Sequence, residues 1–145
     1  MSNLITFHFL KIVIKKYFSP NTDMNFVNHE NCNEVDVYNI DDNAKKLGIK
    51  KDVLINILTG FIERAKEDVG YMTDAFNKND IEKLYQRSHR LNGASGNLKI
   101  IKIHEISKFI EENTRNKKFP LNFNELIDEI SNEITKIEAV IEISK

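Results

Sequence analysis

The stretch DVLINILTGFIERAKEDVGYMTDAF, Asp52 to Phe76, carries apolar side chains at Leu54, Ile57, Phe61, Ile62, Ala65, Val69, Met72 and Phe76. Steps of three and four put them on one face of an α-helix, and a stripe that wide must be buried against other elements. Asp52 suits an N-cap, where a carboxylate accepts from the free amides of the first turn. Upstream, DDNAKKLGI predicts a short helix with Gly48 as its C-cap. Downstream, Asn79 and Glu82 have capping-box spacing ahead of a helix with Leu84, Ser88, Leu91, Ser95 and Leu98 on one face. Ile103, Ile106, Phe109 and Ile110 mark a further helix, which ends in NTRNKK before the break at Pro120. Asn122 and Glu125 repeat the capping-box spacing, and Leu126, Ile130, Ile134, Ile137 and Ile141 form the last stripe. Four amphipathic helices on short connections bury their stripes best against one another. The predicted fold is all-α, an antiparallel four-helix bundle with a short additional N-terminal helix, over residues 36–145.

The chain has 145 residues, enough for one domain with a core and short for two. With 41% hydrophobic and 30% charged residues, the composition suits a soluble globular protein rather than a disordered one. A formal net charge of -1 makes no case for a general nucleic-acid or membrane binder. The lone Cys32 excludes an internal disulfide framework and fits a reducing cytoplasm, the compartment expected here. Near the N-terminus, LITFHFLKIVIKKYF is apolar but interrupted by His8 and Lys11. It falls short of the roughly 20 residues of a membrane-spanning helix. It also lacks the basic opening and cleavage site of a signal peptide. The Asn-rich SPNTDMNFVNHENCNEVDVYN follows, so residues 1–35 are expected to be an arm and linker, with the boundary near Val35.

Within the predicted third helix, SHRLNGASGNL places Gly93 and Gly96 just after His89. Each glycine costs about 1 kcal/mol relative to alanine in a helix interior. Helical spacing puts Gln86, Asn92, Gly93 and Gly96 on the His89 face, away from Leu84, Leu91 and Leu98. The imidazole is therefore expected to face solvent, with bare backbone beside it for another macromolecule. A free imidazole titrates near 6.5, so it is partly neutral at cellular pH and able to act as a nucleophile toward phosphorus. Lys83, Arg87 and Arg90, against the single Glu82 between Ile81 and Leu98, predict a locally positive patch suited to a phosphoryl group or an acidic partner.

The motif resembles the signature of histidine-containing phosphotransfer (HPt) domains. In that signature, leucine, lysine and glycine stand two, three and four places after the histidine, followed by small residues and then an apolar one. His89, Leu91, Gly93, Gly96 and Leu98 match it. LGIKKDVLINILTGFIERAKEDV and FNKNDIEKLYQRSH are similar to the family's second helix and its approach to the histidine, so the resemblance covers roughly Ile40 to Ile141. It implies a phosphocarrier: His89 accepts a phosphoryl group from the aspartyl phosphate of one receiver domain and passes it to another. The partners it implies are receiver domains of response regulators or hybrid histidine kinases. They would supply the Mg²⁺ site and the acceptor aspartate, leaving this chain a monomer with no cofactor. Neither a P-loop nor a glycine-rich nucleotide box is present, so no kinase activity of its own is expected. Gln86, Arg90, Asn92, Gly93 and Gly96 are the expected phosphoryl- or partner-binding residues. Asn92 stands where the family has lysine; its amide can donate but adds no charge, for which Arg90 would compensate in part. Lys99 stands where the family often has glycine.

Other readings fit less well. Histidine-kinase dimerisation helices place an acidic residue after their histidine and a proline soon after, whereas Arg90 follows here and no proline intervenes before Pro120. HENC (His29, Glu30, Cys32) and HEISK (from His104) suggest metal ligands, but Lys108 occupies the place of a zincin's second histidine, and no metal site is expected. His104 should lie at the edge of its stripe, partly exposed. A phosphorylation-independent helical docking module, with glycines that let helices pack closely, remains the alternative. It requires a buried glycine face, where the carrier requires an open one.

Overall fold

Asn39 opens the first helix, α1 (Ile40–Leu47), by accepting from the Asp42 amide at 2.9 Å. Asp41 and Asp42 in its first turn, and Lys45 and Lys46 in its last, oppose the ends of the helix dipole. Gly48 closes it at φ 69°, as expected. The computed structural model describes residues 37–145. The arm and linker, with His8, His29 and Cys32, lie outside the described residues.

The four long helices are α2 (Lys51–Asn77), α3 (Ile81–Asn97), α4 (Ile101–Arg115) and α5 (Phe123–Ser144). α3 packs on α2 and most extensively on α4, α5 closes the bundle against α2 and α4, and α1 rests on α2. The four-helix bundle with one short additional helix is the fold expected from the stripes. Leu54, Leu58, Leu84, Ile110, Ile130 and Ile137 are among its fully buried side chains.

Several local expectations are corrected. Ile57 is 40% exposed and Leu58 takes its place in the core, while Val69 and Phe76 are only half-buried. α2 therefore turns a slightly different face inward than its apolar spacing suggested. Phe76 still contributes, stacking on Phe123 with centroids 4.2 Å apart. Leu98 lies past the end of α3 and is half-buried. Asp52 is not a cap: α2 starts one residue earlier behind Lys50, which makes no side-chain cap bond. Asp80, not Asn79, caps α3, accepting from the Lys83 amide at 3.1 Å. Asn122 precedes α5 without a side-chain cap bond.

Asn79 has another task. It adopts φ 56° so that the Asn79 and Asp80 amides reach back to the carbonyls of Phe76 and Ala75, closing α2 in a Schellman turn. Lys99 and Lys117, at φ 59° and 60°, close α3 and α4 in the same way. An L-side chain is disfavoured in this left-handed region by about 1–2 kcal/mol. Position 99 thus has a backbone demand that glycine would meet without strain. Lys99→Gly should raise stability by about 0.5 kcal/mol or more, net of the extra freedom glycine gives the unfolded chain. A melting temperature that fails to rise would contradict this assignment.

Candidate functional site

Leu84 and Leu91 are fully buried, and Ser88 and Ser95 lie between and beyond them on the same face of α3. Those serines satisfy themselves within the helix: Ser88 Oγ donates to the Tyr85 carbonyl at 3.0 Å and Ser95 Oγ to the Leu91 carbonyl at 2.6 Å. Small, internally bonded residues let α3 sit close on its neighbours without stranding a polar group. With that face fixed inward, His89 stands on the outer wall, its side chain 66% exposed.

The imidazole is nevertheless held. α4 delivers Glu111, a buried carboxylate whose Oε1 lies 2.5 Å from His89 Nδ1. Asn92 Nδ2 donates to Glu111 Oε2 at 2.5 Å, and Arg115 Nη2 donates to Oε1 at 3.0 Å. Burial alone would raise the Glu111 pKa. The hydrogen bonds from His89 and Asn92, with the charges of His89 and Arg115, outweigh it and hold the carboxyl below its usual range. An ionised carboxylate only accepts, so Nδ1 must carry the proton of that hydrogen bond. In the neutral ring this tautomer leaves the lone pair on Nε2, which among the described residues has no hydrogen-bond partner. On the N-terminal side, the Tyr85 ring lies nearly parallel to the imidazole, at 17° with centroids 6.0 Å apart.

The two glycines differ. A Cβ at Gly93 would meet nothing within 4 Å, so one turn beyond His89 the wall is open, as expected. A Cβ at Gly96 would lie 2.9 Å from His104 Nδ1, so Gly96 is covered by α4 and the expectation of clearance there is corrected. Its glycine permits close approach instead. His104, half-buried, donates through Nδ1 to the Asn92 carbonyl at 3.1 Å across that contact. Helix propensity alone would make alanine stabilising by about 1 kcal/mol at both positions. The structure predicts that gain for Gly93→Ala only, with Gly96→Ala neutral or destabilising because the His104 ring must move. Equal gains in chemical denaturation would contradict the contact.

Residues 56–140 match the Hpt domain family. The chain belongs to that family. Its fold is shared with the crystal structure of the HPt domain from an HPt sensor hybrid histidine kinase of Shewanella, at a TM-score of 0.60 and 21% identity. The alignment covers 73% of this chain and 91% of that one. A comparison with curated proteins finds no match. Membership makes this HPt domain a histidine phosphotransfer module of phosphorelays, a class that interacts with receiver domains.

The residues singled out from sequence fare unevenly in the HPt domain. His89 and Gly93 stand at the open wall, and Gln86 is exposed one turn before the histidine. Asn92 is corrected: its Nδ2 is committed to Glu111 and its Oδ1 is buried without a hydrogen-bond partner, so the amide is withdrawn into the wall rather than offered outward. Arg90 is half-exposed but leans toward α2, its Nε 3.7 Å from the buried Asp68, which also pairs with Arg87 at 3.2 Å. Burial raises the Asp68 pKa despite those arginines. Arg87 also lies over the Tyr71 ring at 4.0 Å. The positive patch counted along α3 is therefore partly neutralised from α2. Spacing along α3 could not reach Glu111 or Arg115, which come from α4; Tyr85, four residues before His89 on the same face, was within reach of that count but is not among the residues it singled out. A signal for Glu111 existed: it falls in register with Ser107 and Ile103, on the buried face of α4. A carboxylate in that register needs a partner. Among the described residues, no group of three or more His, Cys, Asp or Glu could hold a metal ion, and no helix is long and apolar enough to cross a membrane.

Proposed function

We propose that His89 Nε2 is the phosphoryl acceptor of this HPt domain. In this reading it takes the group from the aspartyl phosphate of one receiver domain and returns it to the aspartate of another. The observation that carries the proposal is the Nδ1···Glu111 bond beside an otherwise free Nε2. In the forward step the Nε2 lone pair forms the N–P bond while the bond from phosphorus to the receiver's aspartyl oxygen breaks, and the carboxylate leaves with its electrons. The proton stays on Nδ1, so the phosphorylated ring is an imidazolium whose charge Glu111 offsets. In the return step the ring departs as neutral imidazole rather than imidazolate, which keeps the phosphoryl group transferable in both directions. The Mg²⁺ that screens the phosphoryl oxygens belongs on the receiver, as does the acceptor aspartate.

Arg115 supports the same reading. It bonds the Glu111 oxygen that His89 uses, which brings a half-exposed guanidinium beside the imidazole where Asn92 offers no charge. Cations near transferring phosphoryl oxygens stabilise the charge they carry. The test is to incubate the domain with a receiver carrying labelled aspartyl phosphate and to locate the label by ³¹P and ¹⁵N NMR. Phosphorus bonded to His89 Nε2, labile in acid and stable in base, is expected. Label on Nδ1, or on a carboxylate or hydroxyl, would overturn the proposal. Stable receiver binding without any labelling would instead favour a docking module.

A further inference from the structure

We propose that Tyr85 is a positioning residue for phosphoryl transfer, its ring fixing the plane of the His89 imidazole and stabilising the positive charge that the ring acquires. The inference rests on the reading of His89 as acceptor. The ring is tethered at Cγ and restrained at its Nδ1 edge by one hydrogen bond, which still permits rocking about the Cβ–Cγ bond. Nε2 sits on the far side of the ring, so such rotation swings the attacking lone pair away from the in-line direction that phosphoryl transfer requires. A contact on the ring face narrows that rocking.

Tyr85 supplies it. It lies four residues before His89, one turn earlier on the same face, and helical side chains lean back over the preceding turn. The two rings are 17° from parallel with centroids 6.0 Å apart, within the range of offset stacking. The tyrosine is anchored in its turn. It is half-buried, and the Arg115 guanidinium lies 6.0 Å from its ring centroid. Arg115 thus lies over the tyrosine ring and bonds the carboxylate, and those two hold the imidazole from its face and from its Nδ1 edge. The side chain of His89 otherwise stays largely exposed, and the turn beyond it at Gly93 is bare.

The arrangement also acts on charge. Attack by Nε2 makes the ring an imidazolium, and an aromatic face within about 6 Å attracts a cation. The attraction grows as charge develops, so it favours the transition state over the resting imidazole.

The experiment compares wild type, Tyr85→Phe and Tyr85→Leu in transfer from a phosphorylated receiver, separating the limiting rate from the receiver concentration at half-saturation. His89→Gln is run alongside. Tyr85→Leu should slow the limiting rate about three- to tenfold with half-saturation unchanged, and Tyr85→Phe should stay within about twofold of wild type. In wild type and Tyr85→Phe, the His89 ring protons should carry an upfield ring-current shift that Tyr85→Leu loses. A wild-type limiting rate in Tyr85→Leu would overturn the inference. So would a defect confined to half-saturation, an equal loss in Tyr85→Phe, or no ring-current shift in wild type, which can be read even if Tyr85→Leu does not fold. Label that persists in His89→Gln would instead remove the acceptor reading, whatever Tyr85 does.

Discussion

His89→Gln should abolish labelling by a phosphorylated receiver while leaving the bundle as stable as before. An amide nitrogen has its lone pair drawn into the carbonyl and does not attack phosphorus, so the chemistry is lost outright rather than slowed. The fold should be indifferent, because the side chain is 66% exposed and fills no part of the core. The buried Glu111 is not orphaned either: Asn92 and Arg115 still donate to it, and a glutamine amide is long enough to replace the imidazole N–H. Substitutions at such surface positions stay within about 0.5 kcal/mol. The measurement pairs transfer of labelled phosphate with a thermal melt. Residual label would point to another nucleophile. Among the described residues the other imidazole is His104, but it is half-buried over Gly96 with Nδ1 committed to the Asn92 carbonyl. A large loss of stability would mean that His89 serves the fold, which its exposure contradicts.

The stripes of α4 and α5 were legible in sequence because isoleucine and leucine recur there at helical spacing, and all nine expected positions are buried; Phe123 and Ile127 join them, while Ile101 and Ile143 stay exposed. α2 was less so. Its apolar residues outnumber its inward positions, so Ile57 and Leu58 compete for one place and only the neighbouring helices decide that Leu58 wins. The caps failed for a related reason. Asn79 and Asp80 are both good cap residues, but the end of α2 needs a left-handed residue, and asparagine tolerates that conformation better than most. That demand takes Asn79 and leaves Asp80 to open α3. At the site, counting from His89 gives the face of each α3 residue, Tyr85 included, but not which of them α4 covers or draws inward, as it does Gly96 and Asn92. Glu111 and Arg115 could not be placed that way, since they arrive from α4, 22 and 26 residues later, through a packing angle that periodicity does not encode. Gly96 shows the same limit: its small size meets a ring from α4, not open solvent.

Gly93→Leu separates stability from function most sharply. Leucine replaces the poorest ordinary helix former with one of the best, worth about 0.8 kcal/mol or more in an exposed helix interior. Nothing stands within 4 Å of the new Cβ, so the packing does not object and the melting temperature should rise. Transfer should nevertheless fall by about tenfold or more. Position 93 is one turn beyond His89 on the same face, and a helical side chain leans toward the N-terminus, which carries the isobutyl group over the imidazole. That is the space through which a receiver must bring its aspartyl phosphate to within bonding reach of Nε2. The defect should appear mainly as a raised half-saturation, because the imidazole, Glu111 and Tyr85 are undisturbed and any complex that does form can still react. Gly93→Ala, with a single methyl group, should gain most of the stability and lose little of the transfer. A stabilised Gly93→Leu that transfers at the wild-type rate would show that receivers approach His89 from the Tyr85 side instead. The bare turn at Gly93 would then have no part in docking.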